Sequence, residues 1–158
     1  SADDVRTFAE SLDVPIVEDP SNRDPAFRRN AIRHDVLPRL EAIAPGAEGC
    51  LARFARLAGD DSDELERQAR EALMEVGTPQ VLDRGWLLER PLAIQRRIVT
   101  QWFGGLAGGV ELSENRIEQV LTVARTNGGV REIEVGSRWS IVVRRVDLVV
   151  TRPRPDRR

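Results

Sequence analysis

Residues 18–40 read Glu18-Asp19-Pro20-Ser21-Asn22-Arg23-Asp24-Pro25-Ala26-Phe27-Arg28-Arg29-Asn30-Ala31-Ile32-Arg33-His34-Asp35-Val36-Leu37-Pro38-Arg39-Leu40. Asp19-Pro20-Ser21-Asn22 is turn chemistry, because Pro presets one dihedral while Asp, Ser and Asn fold back onto the backbone. Asp24 followed by Pro25 predicts a helix cap with Pro at the first helical position, where its missing N–H costs nothing. On a 3.6-residue wheel, Arg29 and Arg33 share a face with Ile32, Val36 and Leu40, while Arg28 and Arg39 fall elsewhere. Guanidiniums among apolar neighbours need a partner at the end of a packed stem. Two partners suit that fork: acids such as Glu18 or Asp19, tying the turn to the helix, or a substrate phosphate in an active site. Pro38 removes the N–H that would bond the His34 carbonyl, so a kink or helix end is expected there.

The same run resembles the signature late in the catalytic domain of tRNA(Ile)-lysidine synthases, E-D-x-[ST]-N-x-D-x-x-[FY]-x-R-N-x-[IV]-R-x-x-[VL]-L-P-x-L. Glu18, Asp19, Asn22, Asp24, Phe27, Arg29, Asn30, Ile32, Arg33, Leu37, Pro38 and Leu40 stand where that pattern asks. The resemblance implies an ATP-dependent ligase that adenylates the wobble cytidine of tRNA(Ile) with a CAU anticodon and then lets the lysine amine displace AMP. Such enzymes hold ATP on an S-G-G-x-D-S loop. Gly104-Gly105, Gly108-Gly109 and Gly128-Gly129 lack its Ser and Asp-Ser, and the chain opens on Ser1 without Met. It therefore reads as a piece of a longer protein.

On that resemblance the expected fold is α+β, mostly α. Residues 1–45 would form the helical rear of the ATP pyrophosphatase-type catalytic domain and 46–77 a long connecting helix. Residues 78–152 would form a small helix-helix-strand domain that binds tRNA, and 153–158 a disordered tail. Arg29, Asn30 and Arg33 are the catalytic candidates, with Arg28, Arg39, Arg96 and Arg97 as tRNA contacts and Glu18, Asp19, Asn22 and Asp24 as the structural motif. ATP and Mg belong to the full-length enzyme, with no cofactor and no metal expected on this segment. The implied partners are tRNA(Ile) with a CAU anticodon, lysine and an N-terminal catalytic half, in the cytoplasm and away from any membrane.

Composition agrees with a soluble globular chain. The 158 residues allow one domain or two small ones, and no apolar run approaches the ~20 residues of a membrane span. Every basic residue is Arg, so anion recognition relies on guanidinium forks, helix N-termini and backbone N–H groups. A net charge of -2 argues against a uniformly basic coat for nucleic acid. The single Cys50 allows no internal disulfide and reads as a packed small residue rather than a nucleophile. His34-Asp35 is a poor acid/base pair, because adjacent helical side chains diverge by about 100°.

Outward from the central run, Ser1 to Leu12 is expected to be helical, with Val5, Phe8, Ala9 and Leu12 on the buried side and Ser1 with Asp4 as a capping box. Val14-Pro15-Ile16-Val17 reads as a short strand. Ala47 to Val76 is the longest helix, with a bend anticipated near Gly59 and a solvated acidic stretch from Asp60 to Glu64. Gly77-Thr78-Pro79 is the expected domain boundary. Beyond it come a helix from Arg90 to Phe103, a flexible link from Gly104 to Gly109, and a helix capped by Ser113. Strands follow at Val130–Val135, Trp139–Arg145 and Leu148–Thr151, the first two as a hairpin. A non-catalytic RNA-binding module and a structural domain dimerising through the long helix are the competing readings.

Overall fold

The computed structural model describes residues 7–9, 11, 12, 24, 26–77, 80–126, 128–136 and 139–152. The expected box at Ser1 and Asp4, the strand at Val14–Val17, the motif residues Glu18, Asp19 and Asn22, and the tail at 153–158 lie outside them. The architecture is α+β and mostly α, as expected. Contacts divide it into two units, Ser1–Arg56 and Leu57–Arg158.

In the first unit, α1 (Arg28–Ala31) runs into a π-helical segment, Ile32–Val36, and then α2 (Leu37–Ile43). The helix begins at Phe27 rather than at Asp24. Asp24 instead closes a turn ahead of it, its Oδ1 accepting from the Ala26 N–H at 2.9 Å. The Leu37 N–H reaches the Ile32 carbonyl, an i→i+5 bond. That widened turn is how the helix accommodates Pro38, which can supply no N–H and whose ring crowds the carbonyl one α-turn back. It also ends the validity of the 3.6-residue wheel, since more residues pass per turn. Ile32, Val36 and Leu40 are exposed, so the apolar setting expected for Arg29 and Arg33 is not formed within this unit. Phe8 and Leu12 are likewise exposed where a buried face was expected.

The long helix α3 (Ala47–Glu75) continues through Gly59 as a single helix. Glu41 on α2 begins it: its carboxylate accepts from the Gly46 N–H at 2.6 Å and the Glu48 N–H at 3.1 Å. Those are N–H groups that a helix start leaves without intrahelical partners, and they hold the Glu41 carboxyl below its usual range. Cys50 is exposed rather than packed.

The second unit carries the core. A four-stranded antiparallel sheet has the order β1-β4-β3-β2, with β1 at Val81–Asp83, β2 at Arg131–Gly136, β3 at Trp139–Val143 and β4 at Asp147–Thr151. β2 and β3 form the expected hairpin, with a register shift at Glu134/Gly136 that Gly136 makes feasible at φ +94°. Strand alternation sends Ile133, Val135, Ile141, Val143 and Leu148 inward. They pack with α4 (Arg84–Leu88), α5 (Leu92–Leu106) and α6 (Glu114–Arg125), which contribute Leu87, Ile98, Val99, Trp102, Phe103, Val120 and Leu121. Phe103 meets Trp139 edge-on at 6.3 Å. Ala69 and Leu73 bring the C-terminal part of α3 into the same core. Each large side chain buried here contributes about 1.5–3 kcal/mol by leaving water.

Two details differ from expectation. The stretch ahead of the helix expected from Arg90 forms elements of its own: Asp83 accepts from the Trp86 N–H at 2.7 Å and so caps α4 directly after β1. Gly104 and Gly105 belong to α5, and the chain turns only afterwards, with Gly108 and Gly109 at φ +67° and +85°.

Candidate functional site

Arg28, Arg29 and Arg33 project from the α1–π run and are all exposed. The Arg29 guanidinium lies 5.5 Å from the Phe27 ring centroid, a cation–π contact that braces its stem beside the helix start. Asn30 differs from its neighbours: it is buried, and its side-chain nitrogen donates to the Asp24 carbonyl at 2.9 Å. Its amide therefore fastens the turn to the helix that carries Arg29 and Arg33. Arg39 pairs with Asp35 at 2.8 Å with both side chains largely exposed. Such a pair holds the guanidinium weakly and leaves it open to exchange for another anion.

In the second unit the two expected RNA contacts have different surroundings. Arg96 forms an ion pair with Glu118, which raises the guanidinium pKa and lowers the carboxyl pKa, each chiefly through that hydrogen bond. Arg97 turns inward, donating to the Ala93 carbonyl and the Ser62 hydroxyl, both at 3.2 Å. Arg96 thus keeps one side toward solvent, while Arg97 is used in packing α5 against α3.

Three residues absent from the sequence reading organise this unit. Arg84 is buried and donates from Nε to the Ala124 carbonyl at 2.5 Å, from Nη1 to Arg145 at 2.8 Å and from Nη2 to Thr126 at 3.1 Å. It joins the end of α6 to the β3–β4 turn, where cationic charge also complements the helix C-terminus. No local pattern announces it, since its partners stand 40, 61 and 42 residues away. Gln95, buried on α5, accepts from Arg125 Nη2 at 2.7 Å. Arg90 lies over Trp86 with its guanidinium carbon 4.8 Å from the ring centroid. The pairing Trp86…Arg90 at i, i+4 was legible as spacing alone.

No family model matches the chain. Individual relatives do. A tRNA(Ile)-lysidine synthase of Thermobifida fusca is 38% identical over 109 residues, covering 68% of this chain and 33% of the relative. The synthase of Streptomyces coelicolor is 34% identical over 125 residues, covering 74% and 35%. The chain belongs to the tRNA(Ile)-lysidine synthase family. The synthase of Rhodococcus erythropolis, 32% identical over 129 residues, covers 78% of the chain and 40% of the relative. The chain thus spans between a third and two fifths of the length of these lysidine synthases. Among its described residues no helix is long and apolar enough to cross a membrane.

Proposed function

We propose that this chain is a segment of a tRNA(Ile)-lysidine synthase and that it serves the ligation of lysine to the wobble cytidine of tRNA(Ile) with a CAU anticodon. The observation that carries this reading is the 38% identity over 109 residues to a synthase of that name. The signature running from Glu18 to Leu40 gives it a chemical location.

The reaction has two steps in this reading. ATP first activates the wobble cytidine as an adenylate, releasing pyrophosphate, and the lysine amine then displaces AMP. Both steps gather anionic oxygen near the reacting centre. Arg29 and Arg33, exposed on a helix pinned by the Asn30 amide, are suited to neutralise that charge without moving far. Asn30 acts here as a positioning residue. Among the described residues no group of three or more His, Cys, Asp or Glu side chains is assembled that could hold a metal ion. ATP, Mg and lysine are assigned to the remainder of the protein on the family resemblance. Arg28 and Arg39 in the first unit and Arg96 in the second are assigned to tRNA phosphates, in the cytoplasm.

The exposed apolar side chains of the first unit support the same reading. Ile43 is 82% and Phe54 69% exposed, with Phe27, Ile32, Val36, Leu40 and Leu51 also open. So much apolar surface on one short stretch calls for a covering partner. The rest of the synthase is the partner proposed, in preference to a second copy of the chain. A mass in solution that rises with concentration would instead favour the homodimer.

The test is lysine incorporation by the intact protein carrying Arg29→Ala or Arg33→Ala. Incorporation lowered at least tenfold at unchanged tRNA affinity supports the assignment. Unchanged incorporation in both variants removes it.

A further inference from the structure

The guanidiniums of the second unit differ in what already occupies them. Arg67 is held by Glu64 and Glu71, Arg96 by Glu118, and Arg84 by three carbonyls. Arg90 and Arg125 form no ion pair with a carboxylate among the described residues, although Arg125 stands near enough to Glu118 to help lower that carboxyl, and neither is loose. Gln95 is 5% exposed and ties both together. Its Nε2 donates to the Arg90 carbonyl at 2.6 Å and the Leu88 carbonyl at 3.2 Å, while its Oε1 accepts from Arg125 Nη2 at 2.7 Å. One buried amide therefore fixes the backbone that carries Arg90 and the head of Arg125. Arg90 is held further by the Trp86 ring, and its Nε is buried without a hydrogen-bond partner.

We propose that Arg90 and Arg125 form a phosphate-binding pair for the RNA backbone, with Gln95 as the residue that positions both. The proposal rests on the tRNA-acting reading above and goes beyond it in naming the pair. Two guanidiniums ordered in advance lose little side-chain entropy on taking an anion, and neither is bonded directly to a carboxylate among the described residues, Glu118 being paired with Arg96. Arg90 adds a planar group already stacked on an aromatic ring, an arrangement suited to a nucleotide chain as well as to its phosphate. Arg97, in contrast, donates to the Ala93 carbonyl and the Ser62 hydroxyl.

The test is fluorescence anisotropy of labelled tRNA(Ile) against the full 158-residue chain over a series of salt concentrations. Arg90→Gln and Arg125→Gln are each expected to lower the slope of log affinity against log salt by about 1. Gln95→Met is expected to weaken binding by more than Arg125→Gln alone, since it releases both arginines, and adding Arg125→Gln to it is expected to cost nothing further. Arg116→Gln on α6 removes the same charge from a side chain that donates to Gln119 and is expected to leave the slope unchanged. Arg125→Lys keeps the charge but not the fork, so weaker binding at an unchanged slope separates contact from misfolding.

Unchanged slopes in Arg90→Gln and Arg125→Gln would overturn the pair, as would an equal loss in Arg116→Gln or no binding by the wild-type chain at low salt. Lysine incorporation by the intact protein reads the enzyme assignment separately. Incorporation with unchanged slopes overturns the pair alone. Reduced slopes without incorporation support the pair and overturn the enzyme assignment.

Discussion

The side-chain nitrogen of Asn30 donates to the main-chain carbonyl of Asp24 at 2.9 Å, from a position only 5% exposed. Between the exposed Arg28 and Arg29 on one side and the half-buried Ala31 and exposed Ile32 on the other, this is the buried point of the α1–π run. A short helix gains little from its own hydrogen bonds, because nucleation is costly. A tertiary clamp at its first turn therefore sets how well Arg29 and Arg33 are held.

Replacing Asn30 with Ala is expected to cost about 0.5–1.5 kcal/mol locally, the net worth of a hydrogen bond to a part-buried carbonyl. Amide hydrogen exchange should quicken at Asn30 and Ala31, whose N–H groups both bond the Phe27 carbonyl. Protection within α5 should not change. Equal loss of protection at Trp102 would show instead that the variant loosens the whole chain.

Arg84→Met should be more severe. The substitution removes the donors to Ala124, Arg145 and Thr126 and leaves one buried and two part-buried carbonyls unpaired, for an expected loss of about 3 kcal/mol. Urea denaturation of the chain followed by tryptophan fluorescence reports it, since Trp102 is fully buried and Trp86 and Trp139 half-buried in the same unit. A midpoint that stays in place would mean that water replaces the guanidinium at little cost.

The Glu64 carboxyl is held down at about 2, below its ordinary 4.5, first by its hydrogen bond from Arg67 and then by that from Gln68. A folded pKa below the unfolded one stabilises above about 4.5 and is lost as pH falls toward 2. The group is exposed, so its effect on stability is small and the titration itself is the readout. Carbon-detected NMR should place the Glu64 midpoint near 2 in the wild type and well above that in Arg67→Gln. Added salt should move the wild-type value upward.

Periodicity made α3, α5, α6 and the β2–β3 hairpin legible, because each buries a regular stripe such as Ile98, Val99 and Trp102 or Ile133 and Val135. The same periodicity misled at Phe8, Leu12 and the face of Ile32, Val36 and Leu40, which are exposed here. An apolar stripe announces that burial is wanted without saying what supplies it. The π-turn was foreshadowed by Pro38, but a rule about a missing N–H does not choose between a kink, a stop and a wider turn. At the candidate sites, residue type identified the arginines as anion-binding groups. Their availability depended on distant chain, as with Arg96 beside Glu118 and Arg125 beside Gln95.

The most direct measurement is on the product. Purified intact protein containing this chain is incubated with ATP, lysine and a tRNA(Ile) transcript with a CAU anticodon, and the digested RNA is read by mass spectrometry. The account predicts a wobble cytidine enlarged by lysine, formed only when ATP is present and absent from an unrelated tRNA. A wobble cytidine left unmodified by active, folded protein would contradict it.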